Sequence, residues 1–274
     1  MKARGKIQTK KRLLQEIKEN KGTFLFYIVI RVIVIGIMVM EIFSRNYESV
    51  FVCALTLVLF LIPSFVEKRL RIDLPNTLEV IVILFIFAAE ILGEINAFYI
   101  IIPAWDTMLH TINGFLMAAI GFSLVDIFNR SDRIKFSLSP AFLAVVAFCF
   151  SMTIGVLWEF FEFGADLFLH TDMQKDTFIH HISSVALRPD GKNIAVHLDE
   201  ISKTVIHTAG GETYTLGAYL DIGLIDTMKD LFVNFLGAIV FSVIGFFYIK
   251  GRGKSKFAGR FIPKIKEENK QEQQ

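Results

Sequence analysis

Three carboxylates stand close together in Leu157-Trp158-Glu159-Phe160-Phe161-Glu162-Phe163-Gly164-Ala165-Asp166, at the end of an otherwise apolar run that begins near Phe142. At about 100° per residue, Glu159, Glu162 and Asp166 share one helix face, with aromatic residues around them. Two further polar groups echo each other. Asp106-Thr107-Met108-Leu109-His110, with Asn113 following, is matched by Asp226-Thr227-Met228-Lys229-Asp230, with Asn234 following. Carboxylates with one imidazole suit two kinds of chemistry, general acid–base catalysis and the binding of a hard or borderline divalent ion such as Mg, Mn, Fe or Zn. Neither an HExxH motif nor a cysteine-rich spacing narrows that choice.

Each group also has a structural reading. Asp106 and Asp226 suit helix N-caps, where the dipole favours an acid. Asn113 and Asn234 suit hydrogen bonds between helices. Glu90 and Glu94 either line a wet cleft or stay protonated, and Tyr99, Trp105 and Trp158 suit an interfacial aromatic belt. Glu159 and Glu162 resist such an account. They fall near the C-terminal end of their helix, where the dipole opposes a negative charge, so something else must stabilise them.

The elements that position these residues follow from composition. Hydrophobic residues make up 53% of the 274, and the charges lie mostly between long apolar runs, as expected of an integral membrane protein. A bilayer core of about 30 Å needs roughly 20 apolar helical residues. Six stretches meet or approach that length: 24–43, 50–66, 78–102, 107–128, 142–169 and 227–249. The fold class is therefore an all-α membrane protein of six transmembrane helices spanning 24–249. A basic N-terminal segment (1–23) and a basic, polar and disordered tail (250–274) flank it. The two cysteines, Cys53 and Cys149, sit in apolar runs and form no disulfide scaffold.

Orientation follows from Lys and Arg. The N-terminal segment, Lys68, Arg69 and Arg71, then Arg130, Arg133 and Lys135, and the C-terminal tail all fall on one side of a six-span chain. By the positive-inside rule that side is the cytoplasm, with both termini, and the expected location is a bacterial cytoplasmic membrane. The N-terminal bases read as a lipid-facing helix or a solvated tail, and neither tail carries nucleic-acid chemistry. The long loop at 170–225 is then extracytoplasmic. Its turn signals Pro189-Asp190-Gly191 and Gly210-Gly211, between β-prone runs, predict a small β meander or hairpin.

This topology gathers the intramembrane acids in the outer half: Glu90, Glu94, Asp106, Glu159, Glu162, Asp166, Asp226 and Asp230, against Lys229 and His110. Like charges crowded in a low dielectric take up protons or recruit a cation. The other histidines, His170, His180, His181, His197 and His207, belong to the loop and read as surface residues or added ligands.

Three blocks carry a resemblance. Trp105-Asp106-Thr107-Met108-Leu109-His110-Thr111-Ile112-Asn113-Gly114-Phe115, Trp158-Glu159-Phe160-Phe161-Glu162-Phe163 and Asp226-Thr227-Met228-Lys229-Asp230 resemble the motifs of the YjdF-like bacterial multi-pass membrane proteins. More distantly, they resemble those of VanZ-like proteins associated with glycopeptide resistance. The resemblance covers roughly 78–245 and implies that Asp106, His110, Glu159, Glu162, Asp226 and Asp230 form one constellation. The VanZ likeness implies envelope lipid or cell-wall chemistry and names no reaction.

Three functions stay open. In an enzyme acting on a lipid-linked or phosphorylated substrate, Glu159 or Glu162 with His110 and Asp230 would hold an ion or move a proton. A proton- or ion-coupled transporter would need polar residues continuing inward, which the last three spans lack unless a homo-oligomer supplies them. In a non-catalytic envelope factor the cluster would only hold helices together.

Overall fold

The computed structural model describes residues 21–70, 72–129, 138–251 and 253–265. The basic segment 1–20, Arg71, the bases Arg130, Arg133 and Lys135, Arg252 and the last residues from 266 lie outside the described residues. Among those described, five helical stretches are long and apolar enough to cross a membrane: Lys21–Phe43, Tyr47–Arg69, Trp105–Asp126, Pro140–Leu169 and Leu224–Lys250. The chain divides into two compact units. One is Thr153–Val233, and the other takes in the chain before and after it, so both boundaries fall inside continuous helices.

The first unit begins with α1 (Lys21–Phe43) packed on α2 (Tyr47–Leu59). The second expected span breaks at Phe60 and Leu61 and resumes as α3 (Ile62–Leu70), with Pro63 in its first turn, where a missing N–H costs least. Arg31 reaches across from α1 and donates to the Phe60 carbonyl at 3.1 Å, with its guanidinium 5.1 Å from the Tyr27 ring centroid. An arginine inside an apolar helix thus serves the carbonyls at the end of its neighbour.

The third expected span, 78–102, differs from the rest. It forms α4 (Asn76–Phe87), continues as a π-helix over Ala88–Ile95, stops at Ala97 in a left-handed conformation, and restarts as the single turn α5 (Phe98–Ile101). Both the backbone and the side-chain amide of Asn96 donate to the Ile91 carbonyl, which ends the helix. Interrupted in this way, the segment is not among the five long apolar helices.

α6 (Trp105–Asn129), the first part of α7 (Pro140–Leu169) and the last part of α8 (Leu224–Lys250) complete this unit. Ser139 caps α7 by accepting from the Phe142 amide at 3.2 Å, and Pro140 follows at the first helical position. Glycines set the α6–α8 crossing. A Cβ at Gly114 would strike the Asn234 carbonyl, and one at Gly237 would strike the Thr111 carbonyl. Backbones this close are what small residues permit between membrane helices. Further along, Phe115 stacks edge-on against Phe241 with centroids 5.1 Å apart, and a Cβ at Gly245 would meet the Phe122 ring. The pairing advances together on both helices, so α6 and α8 run parallel. The short connection between α6 and α7 makes those two antiparallel neighbours.

The C-terminal segment corrects the expectation of a tail beginning at 250. Ala258, Phe261 and Ile262 are buried in the same core as Phe122 and Phe241, and β8 (Lys264–Ile265) pairs antiparallel with β1 (Ile72–Asp73). The apolar residues of Phe257-Ala258-Gly259-Arg260-Phe261-Ile262 account for this.

The second unit holds the rest of α7, the loop and the first turns of α8. The loop is β-structured as expected. β5 (Thr204–His207) and β6 (Thr213–Leu216) form a hairpin around Gly211, whose φ of 87° requires glycine. β3 (Ile182–Ser184) pairs with β4 (Val196–Leu198) across the Pro189–Gly191 turn region, and β2 (Thr177–Ile179) with β7 (Tyr219–Asp221) closes the base.

Candidate functional site

In the first unit, Asp106 and His110 lie one turn apart near the start of α6, with the imidazole Nε2 3.4 Å from a carboxylate oxygen. His110 is buried and Asp106 half-buried. The helix begins at Trp105, after Ala104 at φ 63°, so Asp106 lies inside the first turn rather than at the cap. Four residues beyond His110, Ser151 of α7 donates to the Gly114 carbonyl at 2.8 Å, while Asn113 donates to the Asn234 side-chain oxygen at 3.3 Å. The expected interhelical role of both asparagines is thereby met.

In the second unit, α7 is built inside out. Glu159 and Glu162 are only 4% and 8% exposed, whereas Trp158, Phe160, Phe161 and Phe163 are exposed, Phe160 by 67%. Gly155, Glu159, Glu162 and Ala165 form the buried stripe, at the spacing a helix face requires. One of the stabilising partners these acids demanded is now visible: the Trp158 indole N–H donates to Glu162 Oε1 at 2.8 Å.

Asp166, on the same face in sequence, has a different task. It accepts from the Thr171 hydroxyl at 2.8 Å and from the backbone amides of Met173 and Gln174 at 2.6 and 2.8 Å. These bonds fold segment 171–175 into a strap. From it the Gln174 side chain donates to Thr227 Oγ1 at 2.6 Å, and the Lys175 amide donates to Asp226 Oδ2 at 2.7 Å. Gly223, at φ 95°, lets the strap pass, since a Cβ there would press on Gln174. Asp226 is therefore no N-cap; Asp221 does that work, accepting from the Ile225 amide at 2.8 Å.

On α8 the buried stripe runs Asp226, Asp230, Asn234, Ala238 and Phe241, with Asp230 2% exposed. The two aspartates thus share the face assigned to them, while Lys229 is exposed on another. Glu90 is half-buried and Glu94 exposed within the π-helix. Sequence reasoning missed the strap residues Gln174 and Lys175, whose contributions are an amide side chain and a backbone N–H. At the edge of the β region, burial and then the charges of Asp172, Asp221 and Asp166 push the Asp176 carboxyl above its usual range. The hydrogen bond from Arg188, at 2.7 Å, holds Asp190 below it.

A family model described as "Predicted membrane protein (DUF2238)" matches residues 25–251. No curated protein and no solved structure matches the chain.

Proposed function

The chain belongs to this DUF2238 family of predicted membrane proteins, and from that premise we propose that its buried acids bind a divalent cation on the extracytoplasmic side of the membrane. The site serves acid–base or hydrolytic chemistry on a lipid-linked or phosphorylated envelope substrate. The observation that carries this reading is the inverted burial on α7, where Glu159 and Glu162 are hidden and the aromatic side chains face outward. Acids are expensive at such a position unless a proton or cation accompanies them.

The spacing of the other candidate ligands supports the reading within each helix. Ser151 is level with Gly114 and Asn234 through hydrogen bonds within the first unit. Asp106 and His110 stand one turn apart near the start of α6, and Asp226 and Asp230 stand one turn apart near the start of α8. Asp106, His110 and Asp230 are donors of a kind that holds a metal ion. Such an ion lowers the pKa of a bound water or polarises an acceptor oxygen. Around it His110, Glu159 and Glu162 would hold the ion or move protons.

Orientation rests on the bases. Lys68, Arg69, Lys250, Lys254 and Lys256 mark one end of their spans as cytoplasmic. With the broken third segment counted as a crossing, both termini lie on that side, and the β-structured loop and the acids lie on the other.

Elemental analysis of the detergent-purified full chain tests the proposal after exposure to Mg, Mn, Fe and Zn salts. Stoichiometric metal is expected in the wild type, and its loss in Glu159→Gln/Glu162→Gln and in His110→Gln. A folded wild type that retains none of these ions overturns it.

A further inference from the structure

The first turns of α8 present a second feature on a face other than the acidic stripe. Leu224, Ile225, Met228, Lys229 and Phe232 line a shallow, widely open apolar groove along this one helix. Leu224, Met228 and Phe232 recur every fourth residue and are exposed, with Ile225 and Lys229 as the adjoining row. Lys229 is the groove's one charged residue and is exposed.

Depth decides what such a groove takes. Lys229 lies five residues into a helix that crosses a membrane, about 7.5 Å below its start. Helical side chains lean toward the N-terminus, so the butyl stem covers apolar surface while the ammonium rises to the helix entrance. At the end of a membrane-crossing helix that is the level of lipid phosphates. The aliphatic and aromatic side chains below it match an acyl chain, and the exposed Lys229 ammonium favours an anionic headgroup over a zwitterionic one.

We propose that Lys229 and this groove form a binding site for one anionic phospholipid, its phosphate on the ammonium and an acyl chain along Met228 and Phe232. The site stands on the membrane crossing of α8 and needs no metal. Bound there, a lipid phosphate would lie on the helix that carries Asp226 and Asp230, on a different face from theirs.

Native mass spectrometry of the full chain, titrated in detergent with phosphatidylglycerol or phosphatidylcholine, tests this. The wild type is expected to prefer phosphatidylglycerol by about five-fold, the effect of one interfacial cation. Lys229→Gln should bring the two lipids to parity, Lys229→Arg should keep the preference, and Phe232→Ala should weaken both. An unchanged preference in Lys229→Gln overturns the site. Displacement of the lipid by millimolar inorganic phosphate overturns it too, by showing a site for the free anion. Glu159→Gln/Glu162→Gln should retain the lipid preference, so a failure of the metal reading would be seen separately.

Discussion

The two halves of α7 continue one buried stripe with two different contents. From Pro140 to Met152 the stripe is Leu143, Ala147 and Ser151; from Thr153 to Leu169 it is Gly155, Glu159, Glu162 and Ala165. Periodicity is unbroken, and both halves turn large apolar side chains such as Phe142, Val145, Phe160 and Phe163 outward. Only the chemistry of the hidden face changes. Apolar and hydroxyl groups in the first half gain from close packing and a satisfied hydrogen bond. Carboxylates in the second half carry a desolvation cost that packing does not return. The first half packs against its neighbours, and the second hides carboxylates at a cost in stability.

The largest break in this comparison should come at the glycines. Gly114→Ala and Gly237→Ala each place a methyl against a backbone carbonyl of the facing helix, which cannot swing aside as a side chain would. Each is expected to cost about 1–3 kcal/mol or more, read as a lowered melting temperature of the purified protein. At Gly164, in the second half of α7, a Cβ would meet nothing within 4 Å among the described residues. Gly164→Ala should therefore leave stability unchanged or raise it by up to about 1 kcal/mol, the helix-propensity difference. Equal losses at Gly114 and Gly164 would show that the close α6–α8 crossing is no less tolerant of added volume than the second half of α7.

A smaller effect probes the acidic half. Trp158→Phe keeps an exposed aromatic ring but removes the indole donor to Glu162, leaving a buried carboxylate one hydrogen bond short. The expected loss is about 1–2 kcal/mol. It should vanish when Glu162 is already leucine, and a double-mutant cycle measures the coupling. A Trp158→Phe protein as stable as wild type would show that the ring serves only the membrane interface.

Much of this was legible because apolar run length and 3.6-residue spacing are local signals. α1, α6, α7 and α8 begin and end within a few residues of the expected spans, and the buried faces carrying Glu159, Glu162, Asp226 and Asp230 follow from spacing alone. What escaped depends on partners distant in sequence. The break after α2 is served by Arg31, 29 residues earlier. Asp166 looked like a third site acid because nothing in its helix shows that the amides of Met173 and Gln174 will fold back onto it. Asp226 read as either a cap or a site acid because the strap that claims it arrives from Lys175. The C-terminal strand pairs with Ile72 and Asp73, almost the whole chain away.

The smallest predicted effect separates two aspartates of the loop by sign. Asp176 has its carboxyl raised by burial and by Asp172, Asp221 and Asp166, so the folded loop holds that proton more tightly than the unfolded chain does. Its contribution to stability is present below the ordinary aspartate range and is lost as pH rises through the raised value. Asp190 is the reverse: with its carboxyl lowered by Arg188, its contribution is present above the ordinary range and lost as pH falls. Hydrogen exchange at the amides of β2 and β7, which flank Asp176, should slow in Asp176→Asn at about pH 7 and match wild type near about pH 4. For Asp190→Asn, exchange in β3 and β4 should quicken at neutral pH and converge with wild type at the acidic end. Both shifts should be modest, because exposed charges are screened by water and salt. If Asp176→Asn quickened exchange at neutral pH, its charge would be holding the loop closed, and the crowding of acids at the base of the β region would have the opposite sense.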